Sequence, residues 1–361
     1  MDCLKFNKVH SDFRFNGISY TKEVLKEAAY SFIKEGEPYE KDIGQFLLDW
    51  LDDSQTVEVR TSGSTGTPKR IRLQKYHMRN SALATGEFFG LRPGSSALLC
   101  LSADYIAGKM MLVRALVLGL HLDSMAPVSN PLHLNRKKYD FGAFVPMQLQ
   151  NATEQIGNIR TLLVGGAALP APLKQKSRNS ATRIFETYGM TETITHVAVK
   201  EIGSGFNTEN ETESFKALPD VVFSVDKRNC LIIEAPRVSE QPVITNDVVH
   251  LISETEFEWL GRYDNVVNSG GVKLFPEQIE QKLENIIEKR FFVVGIPDDQ
   301  LGQKLILVIE GETDLDILKQ KIATLSSFGK FETPREIIAL PQFLETETGK
   351  VQRQLTIDGL L

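Results

Sequence analysis

The sequence predicts an α/β protein: a large N-terminal mixed α/β domain with a β-rich subdomain, followed by a small α+β C-terminal domain. Three observations predict it. Ile159–Val164 is nearly all apolar and runs into Gly165-Gly166-Ala167-Ala168, with Pro170 and Pro172 behind it, as a buried parallel strand feeding a helix does. Short apolar runs at 221–225, 231–233 and 248–252 then have the length of strands. Beyond Gly261-Arg262-Tyr263-Asp264 strands and helices alternate over about 100 residues, an ordinary domain size.

Taken in order, 21–34 and 41–51 carry helical spacing and 97–101 is a short apolar run. Thr56–Arg60 and Arg70–Gln74 both alternate, with Val57, Val59, Ile71 and Leu73 apolar, which predicts two strands around the segment between them. Ile184 and Phe185 precede a loop, Tyr188-Gly189-Met190-Thr191-Glu192-Thr193. Pro276 opens a helix whose apolar positions are Ile279, Leu283, Ile286 and Ile287. Strands at 291–294, 305–309 and 337–340 and a helix around 315–325 complete the small domain. The expected division is 1–262 and 265–361, with the boundary at 263–264.

With 361 residues, 42% hydrophobic and 24% charged, the chain has an ordinary balance for a folded protein with a sizeable core. A net charge of −6 argues against nucleic acid or an anionic membrane as the main partner. The 3 cysteines, Cys3, Cys100 and Cys230, have no metal-ligand spacing and suit reduced thiols in the cytoplasm. No apolar run approaches the length of a membrane span, and residues 1–13 lack a signal core.

The segment between the two alternating strands is Thr61-Ser62-Gly63-Ser64-Thr65-Gly66-Thr67-Pro68-Lys69, which reads as a phosphate cradle. Gly63 and Gly66 let backbone N–H groups converge, the Ser/Thr hydroxyls donate to phosphate oxygens, and Lys69 adds a positive charge. It is not the common ATPase loop, which ends Gly-Lys-Ser/Thr, whereas here Pro68 precedes Lys69 and Arg70 follows. On its own the segment also reads as a Ser/Gly-rich surface turn.

Further segments lie in a fixed order behind it: Tyr188-Gly189-Met190-Thr191-Glu192, Thr245-Asn246-Asp247, Gly261-Arg262-Tyr263-Asp264, Gly270-Gly271-Val272-Lys273, Glu277-Gln278-Ile279-Glu280 and Thr346-Glu347-Thr348-Gly349-Lys350. With the phosphate loop they resemble the adenylate-forming superfamily of acyl-CoA synthetases, adenylation domains and luciferases, and the resemblance covers most of the chain.

The resemblance implies ATP, Mg²⁺ and CoA as cofactors and assigns roles that suit the residue types. Thr61, Ser62, Gly63, Ser64, Thr65, Gly66 and Lys69 would hold phosphates. Tyr188 and Gly189, with the backbone of Gly165, Gly166 and Ala167, would take adenine, since a flat ring stacks and glycine permits close approach. Thr191 would donate to the α-phosphate, and Glu192, a hard oxygen ligand, would hold Mg²⁺. Asp247 at a strand start would accept both ribose hydroxyls, with Arg262 beside it. Lys350 would stabilise the charge that accumulates when a carboxylate attacks the α-phosphorus. The resemblance also implies that the small α+β domain is mobile, turning at a hinge at 263–264 with Asp264 as its pivot, and that Gly270, Gly271 and Lys273 of that domain would face CoA. Taken singly, Tyr188 also reads as a core tyrosine, Asp264 as a turn cap, and Glu192, Asp247, Arg262 and Lys350 as solvated charges.

Ser102 to Met111 and Phe144 to Gln148 lie where the family builds its acyl pocket, and Val164 to Pro170 with Tyr188 to Thr193 look most like the 2-succinylbenzoate CoA ligases of menaquinone synthesis. Tyr105, Lys109 and Gln148 are the candidate acid-binding residues, although Lys109 reads more readily as a helix lysine in water. The chain departs from the family in a phosphate loop that begins at Thr61, which implies a reduced first subdomain. It also departs at Arg60, Arg70, Leu344 and Asn246, the last where glycine is common; asparagine tolerates a positive φ. The expected activity is AMP-forming acid:CoA ligation, with small molecules as partners and a homodimer left open. The alternatives are another aryl- or acyl-CoA ligase, a carrier-loading adenylation enzyme, a non-catalytic nucleotide-binding regulator, or an ATPase.

Overall fold

The computed structural model describes residues 7–60, 70–178, 180–204, 214–329, 331–345 and 351–358. Among these a 13-stranded sheet dominates the molecule. Its parallel half contains Ser96–Leu99, Tyr139–Phe144, Ile159–Val164 and Arg183–Gly189, neighbours in that order. The expected buried strand Ile159–Val164 lies inside this half, with Phe141, Leu162, Leu163, Val164 and Ile184 almost without solvent contact. Apolar runs of this kind are what a sheet covered on both faces demands.

The β-rich region is not a separate layer. His196–Ser204 pairs antiparallel with Arg183–Gly189, and the sheet continues through Phe215–Ala217, Glu256–Arg262, Val243–Ser253, Cys230–Glu234 and Val222–Val225. Strand-length runs show that strands exist; whether they join an existing edge depends on pairing that no local pattern records.

Thr56–Arg60 and Arg70–Gln74 form their own antiparallel ribbon, from Thr56 against Gln74 to Arg60 against Arg70, as their alternation predicts. The helices also follow their caps. Thr21 accepts the N–H of Val24 at the start of Lys22–Glu35, and Pro38 occupies the first turn of Pro38–Leu51. The helix Ile106–Leu118 is apolar apart from Lys109 and Arg114 and stops at Gly119, whose φ of 72° is left-handed.

The second unit has a 5-stranded sheet of its own and a core of Val267, Leu274, Ile279, Leu283, Val293, Leu307 and Ile322. Its helix Pro276–Leu283 begins at the expected proline but ends before Ile286 and Ile287, which belong to the following turn. Gly270 and Gly271, at φ 59° and 82°, make the two-residue turn between Val267–Ser269 and Val272–Leu274, a conformation that requires positive φ at both positions.

Candidate active site

The parallel strands place the expected segments on one side. Ser102 to Met111 follows Ser96–Leu99, Val145 to Gln148 follows Tyr139–Phe144, Gly165 to Ala167 follows Ile159–Val164, and Thr191 follows Arg183–Gly189. All leave carboxyl ends of parallel strands, where open α/β sheets bind ligands. Gly165 lies against Thr187: a Cβ there would stand 2.3 Å from the Thr187 hydroxyl. The glycine therefore lets the loop after Ile159–Val164 lie close against Thr187 of the neighbouring strand. Tyr188 and Gly189 end their strand rather than forming a loop, and Thr191 and Glu192 begin a 3₁₀ turn.

Tyr188 packs on Phe257 and Phe215, with ring centroids 5.1 and 5.7 Å away. Its hydroxyl donates to Asp247 Oδ2 at 2.7 Å. Burial, and then the Asp247 carboxylate, push the phenol well above its ordinary value, so it stays a donor. Asp247 lies inside Val243–Ser253, not at a strand start, and is 6% exposed. Its Oδ1 accepts the Trp259 indole N–H at 3.2 Å and lies 3.6 Å from Arg262, which also reaches Asp264 at 3.4 Å. Asn246 stays in the extended strand without positive φ; its amide joins Arg228 to Asp264. Thus Tyr188, Asp247, Arg262 and Asp264 form one group, with Asp264 itself exposed.

Thr61, Ser62, Gly63, Ser64, Thr65, Gly66 and Lys69 lie outside the described residues, as does Lys350. Of the flanking residues that are described, Arg60 opposes Arg70, and Glu345 bridges Val351. Lys273, Gly270 and Gly271 occupy the exposed hairpin of the small unit.

Two acid-binding candidates have their polar atoms committed elsewhere. Lys109 is buried and donates to the carbonyls of Ala103 at 2.5 Å and Asp104 at 3.0 Å. It closes the loop in front of its own helix and is not a lysine in water. Gln148 donates to the carbonyls of Cys100 and Val128, at 2.9 and 3.1 Å, and accepts the Val145 N–H. Tyr105 is 40% exposed at the helix start. Lys109→Ala is therefore expected to cost about 2 kcal/mol of stability and to depress turnover of mono- and diacids alike. A loss confined to diacids in parallel kinetic assays would return Lys109 to the acid pocket.

Sequence reasoning missed a buried polar cluster beside the Thr191 turn. Ile194, at φ 67° and ψ −66°, closes a γ-turn in which Thr195 N–H donates to Thr193 at 2.8 Å. This hand is rare, and such strain costs about 1–3 kcal/mol for a side chain of this kind. The turn directs Thr195 and His196 at Arg114, which is 3% exposed. Arg114 donates to Thr85 Oγ1 at 3.3 Å and Thr195 Oγ1 at 3.2 Å and lies 3.4 Å from His196 Nδ1. Among the described residues no carboxylate pairs with it. Burial pulls the guanidinium down to about 10, so it remains charged at pH 7. Burial and then Arg114 pull His196 far below its ordinary value, so the imidazole is neutral. With Nδ1 facing a donor, the proton belongs on Nε2, and that buried atom has no hydrogen-bond partner among the described residues. The signal in the sequence was an arginine that, with Lys109, interrupts an otherwise apolar helical run.

Glu186 was missed as well. It is 5% exposed, accepts the Leu169 N–H at 3.0 Å, and pairs with Lys200 at 3.0 Å and Lys174 at 3.3 Å, holding the loop after Gly165. Burial pushes its carboxyl up, but Lys200, Lys174 and the Leu169 N–H together outweigh that and leave it below the usual value. Its stabilisation is thus present above the unfolded value of about 4.3 and is lost as pH falls through the lower folded value. Glu186→Gln is expected to lower stability by about 3 kcal/mol at pH 7, with the gap closing below about pH 4. Denaturant titration of both proteins across pH checks this.

A family model described as AMP-binding enzyme matches residues 59–222. The crystal structure of an acyl-CoA synthetase (AMP-forming)/AMP-acid ligase II-like protein from Dyadobacter fermentans is 36% identical, spans 93% of this chain and 98% of its own, and superposes with a TM-score of 0.62. The chain belongs to the AMP-binding enzyme family. It is an AMP-forming CoA ligase by class. The 2-succinylbenzoate CoA ligase of Lactococcus lactis is 23% identical over 97% of this chain and 80% of its own length. O-succinylbenzoate CoA synthetase from Bacillus subtilis, in complex with ATP and magnesium ion, shares the fold at a TM-score of 0.71 and 20% identity, over 83% of this chain and 69% of its own. Among the described residues of this AMP-binding enzyme no helix is long and apolar enough to cross a membrane.

Proposed function

We propose that the protein joins an aromatic dicarboxylic acid, 2-succinylbenzoate, to CoA through an acyl adenylate, serving menaquinone biosynthesis in the cytoplasm. The observation that carries the choice of a diacid is the buried pair of donors, Arg114 and the Nε2–H of His196, for which the described residues offer neither a carboxylate nor a hydrogen-bond acceptor, respectively. A guanidinium taken out of water without a counter-ion costs several kcal/mol. A second substrate carboxylate would supply that counter-ion and accept from both groups. A monoacid would leave the donors unmatched.

In this reading Tyr188 and the Gly165 to Ala167 backbone hold adenine, Asp247 accepts the ribose hydroxyls, and Thr61 to Lys69 hold the phosphates. Glu192 is a single exposed carboxylate, which fits Mg²⁺ because that ion completes its shell with phosphates and water. Mg²⁺ would neutralise phosphate charge. The substrate carboxylate attacks the α-phosphorus, forming an anhydride bond and breaking the bond to pyrophosphate, with Thr191 and Lys350 stabilising the transferred charge. The CoA sulfur then attacks the acyl carbon and AMP leaves, the thiol proton passing to solvent. The small unit, turning near Asp264, would bring Lys350 for the first step and Gly270 to Lys273 for the second.

Pyrophosphate and AMP release under a panel of aryl and fatty acids tests this. Release with 2-succinylbenzoate and CoA far above that with benzoate is expected. Release of phosphate and ADP without added acid would indicate an ATPase, and no product would indicate a nucleotide sensor.

A further inference from the structure

Asp247 opposes Arg262, and Val248 opposes Gly261, but Val249 then opposes Trp259 and not Leu260. Leu260 is thus the extra residue of a β-bulge, beside Gly261 at φ 152°. Paired residues share a face of the sheet, and neighbours along a strand alternate. In a regular ladder Trp259 would oppose His250 and point away from Asp247. The one-residue slip brings it opposite Val249, two positions from Asp247 and on the same face. The result is the 3.2 Å bond from the indole N–H to Asp247 Oδ1.

The same strand carries the small unit. The Gln278 side chain, from helix Pro276–Leu283, donates to the backbone carbonyl of Trp259 at 3.0 Å. A Cβ on Gly261 would stand 2.4 Å from Glu277 Oε2, so this helix rests directly on the bulge.

We propose that Trp259 is a positioning residue for nucleotide binding: the bulge at Leu260 aims its N–H at Asp247, fixing the carboxylate for ribose, and Gln278 ties that arrangement to the docked small unit. The inference rests on Asp247 as a nucleotide ligand.

The test is calorimetric titration with MgATP alone, without acid or CoA, on wild type, Trp259→Phe, Trp259→His and Gln278→Ala, with thermal unfolding of each. Trp259→Phe removes the N–H and keeps a ring; MgATP affinity and KM for ATP are expected to weaken about tenfold, the size of a lost hydrogen bond to a charged group. The turnover number at saturating ATP should stay near wild type. Trp259→His retains a ring N–H and is expected to recover part of the affinity, and Gln278→Ala to weaken binding less than Trp259→Phe. Unchanged affinity in Trp259→Phe, or equal losses in the Phe and His variants, would overturn the proposal. Wild type that fails to bind MgATP would instead defeat the nucleotide reading itself.

Discussion

Lys350→Ala is expected to lower acid-dependent pyrophosphate release by about two to three orders of magnitude, while thioester formation from supplied acyl adenylate stays near wild type. The two half-reactions differ in where charge develops. Attack on phosphorus gathers negative charge on the entering carboxylate and the phosphate together, which one ammonium stabilises more than either reactant. Attack of sulfur on the adenylate has no such need. The flanks of Lys350 are fixed: Gln352 N–H donates to Leu344 at 2.8 Å, and Arg353 donates to Glu280 at 2.8 Å. Rapid-quench measurement of each half-reaction decides the matter, and equal losses in both would remove Lys350 from the first step.

Arg114→Met is expected to cost about a hundredfold in kcat/KM for 2-succinylbenzoate, because a site built around buried donors discriminates strongly once they are removed. Turnover of benzoate, which offers no second carboxylate, should change little. Stability should hold or rise, since an apolar side chain of similar length replaces a buried charge that lacks a counter-ion among the described residues. A fall in thermal stability with equal loss on both acids would make Arg114 a structural residue instead. Steady-state kinetics on both acids, run beside thermal unfolding, separate these outcomes.

Legibility in the sequence followed the range of the interactions. Ile159–Val164 and the ribbon strands were readable because burial on both faces, or on one, writes itself into adjacent residues. The Tyr188, Asp247 and Arg262 group was readable only through resemblance, as the residues come from separate strands that meet when the sheet curls. Lys109 and Arg114 share one apolar helix; composition marks both as unusual, yet only packing tells which faces carbonyls and which faces His196. Trp259 was unreadable because its direction depends on a single-residue slip in pairing.

The large sheet also constrains how the chain acquires its shape. Arg14 and Phe15 pair with His121 and Leu122, so a strand near the start must wait for residues more than a hundred positions later. Closing such a span costs entropy before any contact returns it. Among the described residues the small unit's strands pair only with one another. Refolding should therefore be biphasic, with the tail end gaining amide protection ahead of the sheet's first strand.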